Sequence, residues 1–196
     1  MSVEQRWRRT HDRSDDLLLA AIAAGDLGAL GELYDRYAHD VWRATYRMHG
    51  NGADAEDIVH HVFMKLPQIA KSYDGRPNAR PWLIGIAARI TLRHRRSLGR
   101  LARVITAFAT MSPTSRELNP ERETAGKQEL NAVDAAIRAL SAKKRIVLTL
   151  IELEGLTSDE VARALSIPPA TVRTRLHHAR REIHAAIEAK KETEGA

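Results

Sequence analysis

The sequence predicts an all-α protein made of two small helical domains joined by a flexible linker. Alanine and leucine dominate an apolar fraction of 43%, and aromatic residues make up only 5% of the 196 residues. This composition favours helices over a β-sandwich or barrel. Apolar residues recur at helical spacing in several segments, whereas no segment shows a convincing strand pattern.

The domain boundaries lie where the helical periodicity stops. Residues 104–115 carry no charge, and 117–126 contain a proline and a glycine among many polar residues, although 104–111 could form a short helix. We therefore expect the following organisation: a flexible N-terminal arm at 1–14, a first domain at 15–99, a linker at 100–128, a second domain at 129–189 and a tail at 190–196.

Four helices are predicted in the first domain. A short apolar helix ends at Gly25, two longer helices cover 27–48 and 53–72, and a fourth runs from about residue 78 towards 101. Asp15 and Asp16 are placed to cap the short helix. Pro67 lacks a backbone donor, so the third helix should kink or end near it.

The second domain is predicted to contain a helix-turn-helix. Its helical segments are 130–140, 142–153, 158–165 and 169–189. Thr157 or Ser158 can cap the helix at 158–165, with Glu160 in its first turn. Pro169 suits the first position of the next helix. Ala162 is small enough to lie where the two helices cross.

Composition and motif content exclude several classes of protein. The absence of cysteine excludes disulfide scaffolds, thiolate zinc sites, iron–sulfur clusters and a cysteine nucleophile. The longest apolar run, 17–24, is far shorter than a membrane span, so we expect no membrane insertion and a cytoplasmic location. No catalytic motif is found, and we expect no catalytic residue, metal, cofactor or enzyme activity.

The net charge of +6 is unevenly distributed along the chain. Residues 15–74 carry ten acidic and five basic side chains, residues 75–105 carry eight arginines and no acid, and residues 161–183 carry five arginines and one acid. Two separate basic segments favour two contacts with a polyanion, most simply nucleic acid. Two solvated arginine-rich helices without a partner are the alternative.

The last helix has the pattern of a DNA recognition helix. Its apolar residues share one narrow arc: Val172, Leu176, Ala179 and Ile183. The remaining surface is rich in hydrogen-bond donors. Base edges would be contacted by Arg173, Thr174 and His177. Phosphates would be contacted by Arg175, His178 and Arg180. A helical hairpin with a solvated basic face is the alternative.

The fourth helix carries a basic stripe, formed by Arg89, Arg93, Arg96 and Arg100. Adjacent like charges on a helix repel by a few tenths of a kcal/mol per pair, and a nearby polyanion would relieve this repulsion. Trp82 at the start of the helix could stack an unpaired base. The alternative is that Trp82 is buried in the hydrophobic core.

The third helix presents the opposite charge, because Asp54, Asp57, His61 and Lys65 share a side away from the apolar stripe. An acidic face repels DNA. Residue pattern alone leaves two interpretations open: a docking site for a basic protein surface, or a solvated face.

Three segments in this order resemble the extracytoplasmic function (ECF) class of bacterial RNA polymerase sigma factors. Residues 54–63 (DAEDIVHHVF) are similar to the conserved-region-2 helix that binds the clamp helices of the polymerase core. Residues 80–87 (RPWLIGIA) are similar to the start of the helix that melts and reads the −10 element. Residues 140–182, especially EGLT at 154–157 and TVRTRLHHAR at 171–180, are similar to region 4, which reads the −35 element.

The resemblance implies three sets of site residues and an anti-sigma partner that covers both basic faces of the free chain. Core polymerase would be bound by Asp54, Glu56, Asp57, His60, His61 and Lys65. The −10 element would be contacted by Arg80, Trp82, Arg89, Arg93, Arg96 and Arg100. The −35 element would be contacted by Ala170, Thr171, Arg173, Thr174, Arg175, His177, His178, Arg180 and Arg181.

The chain departs from the family pattern at several positions. His60 and His61 stand where the family usually has Gln-Glu, and Arg89 and Arg93 stand where Asn and Asp are common. Ser166 stands where the turn commonly has Gly. Arg89 and Arg93 make the stripe on the fourth helix more basic than the family pattern.

The predicted function is that of a sigma factor, which binds RNA polymerase core, directs promoter-specific initiation and assists promoter melting. The predicted partners are bacterial RNA polymerase core, promoter DNA and an anti-sigma factor. The alternative is a helix-turn-helix regulator of duplex DNA, or a sigma-like decoy that binds an anti-sigma protein without directing transcription.

Overall fold

The computed structural model describes the backbone of residues 13–75, 77–108 and 133–194, and the side chains of those residues except 95–108 and 191–194. The described helices are α1 (Asp15–Ala23), α2 (Leu27–His49), α3 (Gly52–Ile69), α4 (Arg80–Phe108), α5 (133–139), α6 (Ala142–Leu148), α7 (Ser158–Leu165) and α8 (Pro169–Glu194). A 3₁₀ turn (Ala70–Ser72) follows α3, and a π-helical turn (Thr149–Leu153) follows α6. No strand occurs in these described ranges, and the all-α prediction is confirmed.

Parts of the predicted organisation lie outside the described residues. These are the arm up to residue 12, the stretch 109–132 that contains most of the predicted linker, and the last two residues.

The first half of the fold, α1 to α4, has the helix boundaries that local chemistry favours. The carboxylate of Asp26 caps α2 by accepting from the backbone N–H groups of Gly28 (2.8 Å) and Ala29 (3.1 Å). Gly50 ends α2 with φ of +86°, a conformation that glycine adopts without a Cβ penalty. Pro67 lies two residues before the end of α3, as expected.

Asp15 is a buried acceptor and not the predicted helix cap. Ser14 occupies the cap position, and Asp15 is only 3% exposed in the first turn of α1. Its carboxylate accepts from Arg36 Nη1 (2.6 Å), Tyr37 Oη (2.6 Å) and the backbone N–H of Ala79 (2.7 Å). Burial and the hydrogen bond to Asp15 raise the pKa of Tyr37. Asp15 thus connects α1, α2 and the residue before α4.

The second half contains the predicted helix-turn-helix. Thr157 caps α7 in a capping box: its hydroxyl accepts from the Glu160 backbone N–H, and the Glu160 carboxylate accepts from the Thr157 backbone N–H. Ser166 ends α7 in the left-handed region with φ of +54°, the position where glycine would be less strained. Pro169 begins α8, and Val172 is fully buried on its inner face.

Two helices extend further than the sequence predicts. α4 continues to Phe108, so residues 100–108 of the predicted linker are helical. Nothing between Gly99 and Pro113 breaks a helix, which accounts for the extension. α8 continues to Glu194, so most of the predicted tail at 190–196 is helical, because lysine and glutamate there are good helix formers.

The two helical halves pack against each other, which the sequence did not predict. Leu83 and Ile84 of α4 and Val161 of α7 belong to one continuous cluster of buried side chains. α4 and α7 approach so closely that a Cβ added at Gly85 would lie 2.7 Å from the Cβ of Ala164. The described protein is therefore one packed body built from two helical units.

Candidate nucleic-acid and protein interfaces

The predicted recognition helix α8 exposes the face that the sequence assigned to DNA. Val172 and Ala179 are fully buried. Six predicted DNA-contacting residues are exposed: Ala170, Arg173, Thr174, His177, Arg180 and Arg181. Three others are half-buried at the edge of this face: Thr171, Arg175 and His178. The arrangement gives one solvent-facing surface of donors over a packed apolar base, which fits a major groove.

Arg180 on this helix is paired within the chain. Its Nε lies 2.9 Å from the Glu152 carboxylate of the π-helical turn, and the Arg180 side chain remains 62% exposed. Such an exposed pair contributes little free energy, so a phosphate can replace Glu152 at low cost.

Among the described side chains, helix α4 offers fewer accessible predicted DNA contacts than α8. Arg93 is exposed, whereas Arg89 is half-buried, and burial, followed by the nearby Arg93 charge, lowers the pKa of Arg89. Trp82 is partly buried and meets Tyr73 edge to face at 5.2 Å between ring centroids. The side chains of Arg96 and Arg100 lie outside the described residues.

Arg80, a predicted −10 contact, is engaged inside the protein. Its Nε donates to Asp40 (3.1 Å), its Nη1 to the backbone carbonyl of Glu154 (3.2 Å) and its Nη2 to the Glu154 carboxylate. In this conformation the guanidinium is directed at protein acceptors and not at a DNA backbone.

Glu154 is a buried carboxylate whose partners sequence reasoning missed. Its side chain is 0% exposed and also accepts from Arg47 Nη1 of α2 at 2.8 Å. We call Glu154 with Arg47, Arg80 and Asp40 the Glu154 cluster. The EGLT motif begins with Glu154, but local periodicity carries no signal for partners 74 and 107 residues away.

The predicted polymerase-contacting residues on α3 divide between two grooves. Glu56, Asp57 and His60 line a groove of about 720 Å³ against α2, together with Trp42 and Tyr34. A second groove of about 490 Å³ lies between α3 and α4. Four of the predicted residues line it, together with Arg93 and His94: Asp54, Asp57, His61 and Lys65. Only Asp57 borders both.

The exposure of the α3 side chains differs along the helix. Glu56, Asp57, His60 and His61 are exposed, whereas Asp54 is half-buried and its carboxylate lies 3.1 Å from His49 Nδ1. The surface open to a partner is thus centred on Glu56 and Asp57.

Aromatic side chains of α2 line the first groove, a feature that the sequence analysis did not place. Trp42 stacks on Tyr46 with ring centroids 5.3 Å apart and an interplanar angle of 8°. Trp42 also lines the groove beside Glu56 and Asp57, and Tyr46 is 40% exposed. An apolar aromatic wall beside acidic groups can bind a partner that offers both apolar and basic side chains.

Within the described residues, no helix combines the length and the apolarity that crossing a lipid bilayer requires.

A helical unit with an acidic helix and a basic helix, followed by a helix-turn-helix, defines a sigma-70-type protein. The family model of sigma-70 region 2 matches residues 33–101, and that of sigma-70 region 4 matches residues 130–183. The first match covers most of α2, all of α3 and the first part of α4, and the second covers α5 to α7 and the first half of α8.

The chain belongs to the ECF class of RNA polymerase sigma factors. It is 30% identical over 173 residues to the ECF RNA polymerase sigma factor SigL of Mycobacterium tuberculosis, an alignment that covers 87% of this chain and 95% of the relative. It is 28% identical over 182 residues to the ECF RNA polymerase sigma-E factor of Escherichia coli, covering 89% and 95% of the two chains.

Solved structures confirm the fold. CnrH in complex with the cytosolic domain of CnrY superposes with a TM-score of 0.61 at 23% identity, covering 90% of this chain and 99% of that one. The sigma factor RpoE of Bartonella quintana, in complex with the anti-sigma factor NepR, gives 0.62 at 19% identity, covering 81% and 96%.

Proposed function

We propose that this sigma factor reads the −35 element with α8, binds the −10 element with α4 and docks on polymerase core through α3. The observation that carries the proposal is the exposed donor face of α8 over fully buried Val172 and Ala179. Arg173, Thr174 and His177 lie at its centre, where a helix in the major groove reaches base edges.

The exposed part of α3 supports docking on a basic protein surface. Glu56 and Asp57 lie beside an aromatic groove of about 720 Å³, and no arginine or lysine among the described residues lines that groove. A partner helix with arginines and apolar residues would satisfy both the charge and the apolar wall.

The −10 contact requires α4, whose Arg93 is exposed next to half-buried Arg89. The opened strand would be stabilised by the free energy of binding and not by a reaction of this chain. Trp82 near the start of the helix would stack an unpaired base. We propose accordingly that the protein has no catalytic activity of its own.

An anti-sigma factor is the proposed regulatory partner. The chains that share this fold include sigma factors in complex with CnrY and with NepR. A partner that covers the donor face of α8 and the exposed side of α3 would block both proposed interfaces at once.

Run-off transcription with core polymerase and a promoter library tests the proposal. With this chain present, transcripts should start at a defined subset of promoters. Tight binding to core without any promoter-specific transcript would contradict the proposal and indicate a decoy or an independent DNA-binding regulator.

The docking surface is tested by replacing both Glu56 and Asp57 with arginine. Because both side chains are exposed, the fold should persist while the association with core polymerase is lost. Replacing exposed Asp35 of α2 with arginine is the matched charge control. Retained core binding by the double variant would remove this surface of α3 from the interface.

A further inference from the structure

A carboxylate of the protein itself occupies one of the proposed phosphate contacts of α8. The guanidinium of Arg180 donates from both Nε (2.9 Å) and Nη2 to the same oxygen, Oε1, of Glu152. The Arg180 side chain remains 62% exposed and that of Glu152 38% exposed, so both groups lie at the surface. Glu152 therefore accepts from Arg180 in the way that a DNA phosphate oxygen would.

Arg180 differs in this respect from the other arginines of α8. Among the described residues, no carboxylate lies within ion-pair distance of Arg173, Arg175 or Arg181. An arginine without an internal partner can bind a phosphate without breaking a contact in the protein, whereas Arg180 must first release Glu152. Competition for an α8 arginine is thus confined to Arg180 within the described part of the chain.

Arg180 lies on the side of α8 that carries the proposed base contact Arg173. The two residues are seven positions apart, so their side chains leave the helix within about 20° of each other and about 10 Å apart along the axis. Phosphates line both edges of the groove that Arg173 would enter. A phosphate at this edge is therefore within reach of Arg180 and close to the Glu152 carboxylate beside it.

The backbone holds Glu152 beside α8. Glu152 belongs to the π-helical turn Thr149–Leu153, in which the Glu154 backbone N–H donates to the Thr149 carbonyl at 3.0 Å. Thr149 and Leu150 of this turn are fully buried. A side chain anchored in this way can release its partner by rotating, but it stays near the phosphate that replaces it. Turns of this kind are rare and are frequently found at functional sites.

We propose that Glu152 competes with DNA phosphate for Arg180 and so limits the sequence-independent part of −35 binding. The inference rests on the proposed assignment of α8 to the −35 element. The exposed pair is easily broken, but a phosphate bound at Arg180 must displace a carboxylate that then repels it. Base contacts by Arg173, Thr174 and His177 do not depend on this competition. They therefore supply a larger share of the binding free energy, which disfavours duplex without matching bases.

Glu152→Gln removes the competing charge and keeps the shape of the side chain. Because the pair is exposed, the variant should fold with a free energy of unfolding close to that of the parent. The matched control is Asp134→Asn, which removes the charge of an exposed acid paired with Arg138 on α5. Ile137 of α5 belongs to the same apolar cluster as buried Ala179, so α5 lies on the side of α8 away from the donor face.

The affinity of the full chain for two labelled duplexes is measured by fluorescence anisotropy over a range of salt concentrations. One duplex carries the sequence bound best in a −35 library, and the other carries the same bases in scrambled order. Glu152→Gln should lower both dissociation constants by about threefold and leave their ratio unchanged. The slope of log affinity against log salt should steepen by roughly one phosphate contact. Asp134→Asn should keep the parent's dissociation constants and slope.

The Arg180→Ala background tests whether the effect of Glu152 is exerted through this arginine. In that background, Glu152→Gln should change the dissociation constants much less than it does in the parent. Unchanged constants in Glu152→Gln, a changed ratio between the two duplexes, or an equal gain without Arg180 would each overturn the proposal. A parent chain that binds both duplexes equally would instead refute the proposed reading of the −35 element, and the inference with it.

Discussion

Helices α4 and α8 carry the two basic segments of the chain, yet their side chains are in different states. On α8, Arg173 and His177 are exposed. On α4, Arg80 donates to three acceptors within the protein, and Arg89 is half-buried. A basic segment in the sequence therefore does not by itself show which of its side chains are accessible to DNA. Helix α8 presents its proposed base-contacting side chains to solvent, whereas Arg80 of α4 is engaged by acceptors within the protein.

The largest expected effect comes from Asp15, which binds the backbone N–H of Ala79 directly before α4. Asp15→Ala leaves Arg36, Tyr37 and the Ala79 N–H without their buried acceptor. Removing one member of such a buried charged cluster should lower the free energy of unfolding by about 3–5 kcal/mol. Urea denaturation measures it.

Asp16→Ala is the control, because this neighbouring carboxylate is exposed and should matter little for stability. Equal stability losses in the two variants would mean that Asp15 does not fix α4.

The second effect concerns α8 alone. Arg173→Ala should weaken binding to a −35 duplex by about 1–3 kcal/mol. The loss should depend on the identity of the one or two base pairs that Arg173 contacts. Because Arg173 is exposed, the effect should appear without polymerase. Binding of duplex variants by fluorescence anisotropy measures it, with Arg138→Ala of α5 as the control. A uniform loss on every sequence would show that Arg173 contacts only phosphate.

The smallest expected effect concerns α7, which packs on α4 and precedes α8. Thr157→Ala removes the side-chain half of the α7 capping box and should cost about 1 kcal/mol. Faster amide hydrogen exchange should follow in α7, whereas Ser158→Ala should leave exchange unchanged. Similar exchange in both variants would exclude Thr157 as the stabilising cap.

Sequence reasoning predicted what depends on neighbours along the chain. The capping box at Thr157, the start of α8 at Pro169 and the burial of Val172 and Ala179 all follow from spacing within one or two turns. The exposed donor face of α8 follows from the same periodicity, because burying one arc of a helix exposes the other.

Contacts between residues that are distant in the sequence could not be predicted. Asp15 had the position of a helix cap but is a buried acceptor for partners up to 64 residues away. Arg80 had the charge of a DNA contact but pairs with Glu154. Helical periodicity predicts that one face of a helix is buried, but it does not predict which distant surface covers that face. The packing of α7 on α4 was therefore not predicted.

The central claim is that the exposed donor face of α8 reads the −35 element as part of a sigma factor. It is tested most directly by run-off transcription with core polymerase from promoters that differ only in the −35 element, with either the natural chain or Arg173→Ala. The account predicts that Arg173→Ala changes the order in which these promoters are preferred. An unchanged order of preference, with active transcription, would contradict it.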